Sequence, residues 1–576
     1  MLALAVAAAL ATACSDRQAD SPTTEPADSA AVPRHGGRLV VALRAEPRTL
    51  NPITAVDLSS QLVVHRLMAD LLHINRSTQQ VEPALASSWT VSEDGLTYRL
   101  ELRRDVRFSD GVPFDADDVM FSFRLYLDEE LAFPGRDLLF VGDRPIEPRK
   151  IDSHTVEFRL AEPAAAGLRL FDSLAILPQH RLAEPYEQGR LAEIWGPATA
   201  PDEIAGLGPF RLREYRSGER LVLERNPNYW KVDAHGGRLP YLDELVLLFV
   251  ASEDAQVIRF KAGETDVIEG INPSNFSQLD RDGEDAPYAV QDLGAGLTYV
   301  FLVFNQNDPP GERPAGLEAR QSWFRQQAFR QAVSAAVDRD AVVRLAYRNR
   351  ATPLWSHVSP GHQYWFNDQV PRPGRSLERA RQLLAAAGFS WQQDDLLLDP
   401  TGQPVEFSII TGASNSQRVQ AATLVQEDLR QLGMTVSVVP LEHRALIQRL
   451  LSSKDYDACL MELGGGDADP NPQINTLLSS GGLHLWRLGE PAPATVWEAE
   501  IDRLMRRQIS VMDRAERKRL FDRVQVVMAE NAPLVFLASP HVLAGAKRSL
   551  GNFRPAVLPP NTLWNVDELY WPEPGG

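Results

Sequence analysis

Between positions 81 and 123 the spacing of apolar side chains passes from one period to another. Thr97-Tyr98-Arg99-Leu100-Glu101-Leu102 alternates polar and apolar residues, the period of a strand with one buried face. An extended piece over 88–90 precedes it, and Asp94-Gly95 between them is a hairpin-type turn pair. Arg107-Phe108 predicts a further extended piece, closed by Ser109-Asp110-Gly111. Asp115 is placed to cap a helix that starts near Ala116. Asp117 and Asp118 would then lie at its positive end, with Val119, Phe121 and Phe123 as apolar positions. The stretch predicts a compact β-β-α unit.

The same reading covers the rest of the chain. Residues 36–43 predict a strand, followed by a proline-punctuated loop at Glu46-Pro47 and Asn51-Pro52. Residues 151–160 alternate as one strand, and 208–230 read as two strands joined by a turn at 216–219. Residues 245–250 and 299–305 are apolar runs of the buried-strand type. After Asn305 the pattern turns helical, over 323–336, 340–347 and 377–387. A helix over 417–432, with strands at 405–410 and 435–439 on either side, predicts a parallel α/β unit. Two more helical stretches, from Ala499 and over 513–530, lead to a strand at 533–537.

Length and charge narrow the picture. A chain of 576 residues exceeds what one core organises, so two or three domains are expected. Lys and Arg number 59 against 77 Asp and Glu, a net charge of −18 without a basic cluster, which argues against nucleic acid and anionic membrane surfaces as partners. Residues 1–14 are apolar, small and uncharged, and are read as a signal peptide. Ala11-Thr12-Ala13-Cys14 ends that segment like a lipobox, which makes Cys14 the candidate for lipidation. Residues 15–35, rich in Ser, Thr, Ala, Asp and Pro, predict a flexible tether. The one other cysteine, Cys459, lies in an apolar run and predicts an inert core thiol.

The order of several short motifs adds a resemblance. Pro83-Ala84-Leu85-Ala86 with Trp89, the Asp94 to Tyr98 turn and strand, and Leu102-Arg103 with Val106 and Phe108 occur in the order found in the family 5 extracellular solute-binding proteins. Arg225-Asn226-Pro227 with Tyr229-Trp230, the 329–339 helix end and Ala387-Gly388-Phe389 resemble further motifs of that family. The resemblance implies an α/β, two-lobed periplasmic-binding-protein-like (type II) fold with an extra subdomain on the N-terminal lobe. Lobe I is then expected over 36–65, 200–304 and 533–576, the subdomain over 66–199, and lobe II over 305–532. The implied role is the substrate-binding component of an ABC importer. It would be a monomer without a cofactor that hands a peptide or similar small solute to permease subunits. A nickel complex, a glycan or a modified peptide is the alternative ligand; an envelope enzyme or a sensor is the alternative class.

Peptide binders of the family carry a Trp-rich segment with an acidic residue for the peptide's ammonium, just before an Asp-Pro. Here the region reads Glu462-Leu463-Gly464-Gly465-Gly466-Asp467-Ala468-Asp469-Pro470. The Asp-Pro is kept, the Trp is absent, and without a gap the pairing position falls on Gly466. Asp467 or Glu462 would serve after a small shift, or Asp467 and Asp469 order the loop through Asx turns. Asp467-x-Asp469-x-Asn471 fails as a calcium loop, since Pro472 and Leu478 stand where Gly and Glu are needed. Loop residues Asn305, Trp355, His357, Tyr364, Trp365, Asn415 and Trp486 complete the candidate cleft set. No nucleophile elbow, H-E-x-x-H, phosphate-binding lysine loop or C-x-x-C pair occurs, and no metal site or catalytic residue is assigned. His65 and His73 are expected two turns apart on one helix, too far to share a metal.

Overall fold

A computed structural model describes residues 33–131, 133–172, 174–307, 316–464 and 467–572. The signal peptide, Cys14, most of the tether and Gly466 lie outside the described residues. The β-β-α unit forms as its local chemistry dictates. Strands Ala86–Val91 and Thr97–Leu102 pair antiparallel, and Tyr98, Leu100 and Leu102 face inward. Helix Ala116–Leu127 opens with a capping box in which Asp115 accepts from the Asp117 backbone and Asp118 returns a bond to the Asp115 backbone.

Twelve strands among the described residues form one hydrogen-bonded sheet, ten of them along a single path and two branching from it. The first half runs Phe210–Arg216, Arg220–Arg225, Glu244–Phe249, Arg38–Leu43 and Val267–Glu269. The second runs Thr298–Phe304, Ala458–Gly464, Glu406–Gly412 and Thr435–Leu441. Strand Leu534–Lys547 stands between the halves and belongs to both. Its first residues pair with Thr298–Phe304 and Ala351–Pro353, and its last pair with Val267–Glu269 and Tyr288–Ala295. At the changeover His541 Nδ1 lies 3.0 Å from Asp292 Oδ2 and its Nε2 lies 3.0 Å from Thr352 Oγ1. Arg350 also donates to Asp292 at 3.0 Å, so residues from both halves meet there.

Strand Thr298–Phe304 explains why its sequence is a continuous apolar run. Val300, Leu302 and Phe304 enter one core, and Tyr299, Phe301 and Val303 enter another on the opposite face. Each such fully buried side chain contributes about 1.5–3 kcal/mol relative to exposure. In the first half a single core joins Leu39 and Val41 of the sheet to Phe123 and Phe158 of the 66–199 segment.

Several sequence expectations change. Residues 151–160 do not form one strand: Glu147–Asp152 and Thr155–Arg159 make a hairpin, because Asp152 accepts from the His154 backbone at 2.7 Å and turns the chain. The 323–336 helix is two helices, Leu317–Arg325 and Gln327–Ala336, broken at an extended Gln326. The first passage between halves comes before Thr298, not after Asn305, since Thr298–Phe304 pairs wholly within the second half. The final strand continues ten residues past Leu537, through Pro540, where the sequence pattern breaks. His73 is not helical: the helix ends at Leu67 and His73 lies in strand Leu72–Ile74.

Candidate functional site

The two halves touch through segments that no local pattern marks. Asn75 accepts from the backbones of Ser77 and Thr78, and the loop brings Gln79 into the left-handed region at φ 59°. There Gln79 donates its side-chain amide to Gly361 O at 2.8 Å. Gly361 is required at that contact, because a Cβ would lie 2.4 Å from Ala295 O. The Ala165 backbone donates to Ile509 O at 2.8 Å, and Arg169 Nε donates to Asp467 Oδ2 at 2.7 Å. A cavity of about 270 Å³ lies in this contact, bounded by residues 78–81 and 165–169 on one side and by 363–365, Ala468-Asp469, Met512, Arg514 and Arg517 on the other.

The walls combine cations and ring faces. The Arg514 guanidinium lies 3.9 Å from the Tyr364 ring centre, and that of Arg517 lies 4.9 Å from Trp365. Arg517 is also forked onto Asp469, at 2.9 and 3.2 Å. Burial pulls the Arg169 pKa down, but the bond to Asp467 and the fields of Asp467, Asp469 and Asp172 carry it above the usual arginine value. The lining offers hydrogen-bond donors and apolar ring faces, which suit holding a polar solute.

Of the sequence candidates, Asp469, Tyr364 and Trp365 line this cavity, and Asp467 adjoins it through Arg169. Asp467 is engaged by Arg169, so it is not a free partner for an ammonium group here. Asp469 orders its loop as well, accepting from the Asn471 backbone at 3.0 Å. Glu462 lies apart on strand Ala458–Gly464, with Arg418 Nη1 3.8 Å away.

The other candidates have structural partners. Asn305 is fully buried and ties Lys454 O and Tyr456 O to Asn307. Asn415 caps helix Ser416–Arg430. Trp486 is buried and donates to Glu498 at 3.0 Å. Trp355 donates to Pro373 O, with Arg339 over its ring. His357 is packed behind Trp365, among Tyr299, Phe521 and Phe536. Arg169, Arg514, Arg517 and Gln79 carry no local signal, since the groups they meet across the contact are remote in the chain.

Asp70, His73 and Asp172 bring ligand-type atoms within 4.8 Å of one another. Arg76 already forks onto Asp172 at 3.2 Å, and a divalent cation would face that guanidinium. These residues do not fit a metal centre.

The sequence profile of the bacterial extracellular solute-binding proteins, family 5 (middle region), matches residues 80–484. A probable ABC transporter-binding protein of Deinococcus radiodurans is 27 % identical over 549 residues, covering 91 % of this chain and 90 % of the relative. The oligopeptide-binding protein AppA of Bacillus subtilis is 26 % identical over 573 residues, covering 99 % and 97 %. The structure of that AppA with a nonapeptide superposes with a TM-score of 0.69 at 23 % identity, over 94 % of this chain and all of that one. The arrangement is thus the two-lobed type II fold expected, and the chain belongs to the bacterial extracellular solute-binding proteins of family 5.

Proposed function

We propose that this chain is the substrate-binding component of an ABC importer, one that takes a peptide outside the cytoplasm and passes it to a membrane permease. Its globular body would be held at the membrane by a lipid on Cys14; no helix of the described residues is long and apolar enough to cross a bilayer. The observation that carries this reading is the contact between halves. Gln79 with Gly361, Ala165 with Ile509 and Arg169 with Asp467 all meet across a cavity, while among the described residues the sheet halves are joined through their shared strand. Such a plan supports closure around a ligand, and a closed form is what a permease recognises. The peptide bound to AppA supports the ligand class.

The engagement of Asp467 by Arg169 favours a second reading, a solute without a free ammonium group, such as a modified peptide. Binding without turnover is proposed in either case. Native mass spectrometry on protein purified gently from cells tests this. A ladder of peptide-mass adducts supports peptide capture, and one discrete non-peptide mass supports the second reading. Conversion of tri-alanine by the purified protein would overturn both.

A further inference from the structure

Five arginines are buried among the described residues, and four of them are held by hydrogen bonds or an ion pair, Arg76 with only its Nε unpartnered. Arg330 spreads its N–H groups over the carbonyls of Phe324, Arg325, Asn531 and Ala532. Arg339 does the same with Leu354, Phe536 and Ser334. Arg76 and Arg517 fork onto Asp172 and Asp469. Arg66 differs. It lies in the last turn of helix Leu58–Leu67 and is 4 % exposed, yet its Nε and Nη2 have no hydrogen-bond partner and it joins no ion pair.

Burial draws the Arg66 pKa down to about 10, with Glu269 and Asp567 acting against it, so the group stays cationic at neutral pH. Both acids are committed elsewhere. Asp567 accepts from Tyr229 at 3.1 Å and Lys231 at 3.0 Å, and Glu269 accepts from the Thr562 hydroxyl. Glu269, whose field reaches Arg66, ends strand Val267–Glu269. Strands Arg38–Leu43, Glu244–Phe249 and Val267–Glu269 are parallel, so their carboxyl ends lie on one edge of the first half-sheet. Open α/β sheets bind ligands beyond that edge. A buried cation whose donors are unmatched is costly to keep, and its complement is an oxyanion that accepts two parallel N–H bonds.

We propose that Arg66 anchors an oxyanion of the captured solute, either the terminal carboxylate of a peptide or a free phosphate-type anion. This rests on the solute-binding reading and adds a ligand group to it. The whole purified chain and its Arg66→Met variant are compared by calorimetry with tri-alanine and tri-alanine amide, and by thermal melting with and without inorganic phosphate. The expected result is that the wild type binds tri-alanine roughly tenfold or more tighter than the amide. Arg66→Met would lose that preference and, without ligand, melt at or above the wild-type temperature, because an apolar side chain replaces an unmatched charge.

A purely structural arginine gives the opposite signs: Arg66→Met melts lower and keeps the preference, which would overturn the proposal. Equal binding of acid and amide by the wild type, with no stabilisation by phosphate, overturns it too. Stabilisation of the wild type alone by phosphate, with neither peptide bound, would keep the anion site and remove the peptide reading. Should Arg66→Met not fold, the acid and amide comparison on the wild type decides, with Arg66→Lys as a second variant that retains charge but loses the fork.

Discussion

Arg169 and Asp467 are 298 positions apart and meet as a two-point ion pair, Arg169 Nε donating to Asp467 Oδ2 at 2.7 Å while Nη2 engages Oδ1. The side chains are 15 % and 21 % exposed, so the pair is neither a screened surface contact nor a dry one. It joins the 66–199 segment to the second half and acts only when the two are in contact.

Removing this pair should therefore shift the balance toward the open form. Arg169→Ala, Asp467→Asn and the double variant form a cycle, read by affinity for a bound peptide and by small-angle scattering. Coupling of about 1–2 kcal/mol is expected, between the values for exposed and buried pairs. A cycle that closes with no coupling, and scattering unchanged by either single variant, would show that the pair does not govern closure.

Asp469 and Arg517 behave differently, because both side chains are nearly dry, at 6 % and 5 % exposed. Asp469→Ala leaves the guanidinium without its carboxylate and should cost about 3–5 kcal/mol in urea unfolding. Asp469→Asn can still accept from the Asn471 backbone and should cost less. Loss of ligand binding by Asp469→Ala is expected to follow unfolding, so equal stability of the two variants would contradict this assignment.

How much was legible from sequence depends on how far each residue's partner lies. The Asp94-Gly95 turn and the Asp115–Asp118 capping box are completed within a few positions, and the pattern found both. Asn415 caps its own helix, a role the sequence leaves unread because loop and cap share one composition. Asn305 and Trp486 look like exposed loop residues in sequence, but Tyr456 O and Glu498 hold them inside the fold. Gln79, Arg169 and Arg517 carry no signal in their neighbourhoods; only the pairing of distant strands brings them together.

Acid should destabilise the protein in two stages. Burial, with His362 nearby, pushes His357 down to about 3, and burial pushes His362 down to about 4 against an opposing bond to the Ser359 backbone. The unfolded chain takes up protons first, so this stability is complete above the ordinary histidine pKa of about 6.5 and is lost as pH falls from there. His357→Phe should recover about 2 kcal/mol at pH 5 relative to pH 7.5. The second stage belongs to Glu498: burial would raise it, but His484, Thr495 and Trp486 hold it at about 2. Its contribution is present above about pH 4.5 and fades as pH falls toward 2. Denaturant midpoints for wild type and His357→Phe between pH 7.5 and 4 check the first stage; parallel curves would refute it.

Cys459 offers a probe of one of the two cores of the second half, the one that holds Tyr299, Phe301 and Val303. It is fully buried, and burial pushes its thiol up to about 12. Alkylation by iodoacetamide at pH 8 should be limited by unfolding, with a rate that rises with urea in step with loss of structure. Rapid labelling of the native protein would place the thiol outside the core.

Strand Leu534–Lys547 also governs the order in which the polypeptide can become a protein. All its partners, from Val267–Glu269 to Ala351–Pro353, leave the ribosome long before it does. Neither half can complete its ladder until this late segment arrives, so stable structure must wait for nearly the whole chain to be synthesised. Truncation just before Leu534 should therefore leave two incomplete halves with exposed strand edges in place of a smaller folded domain.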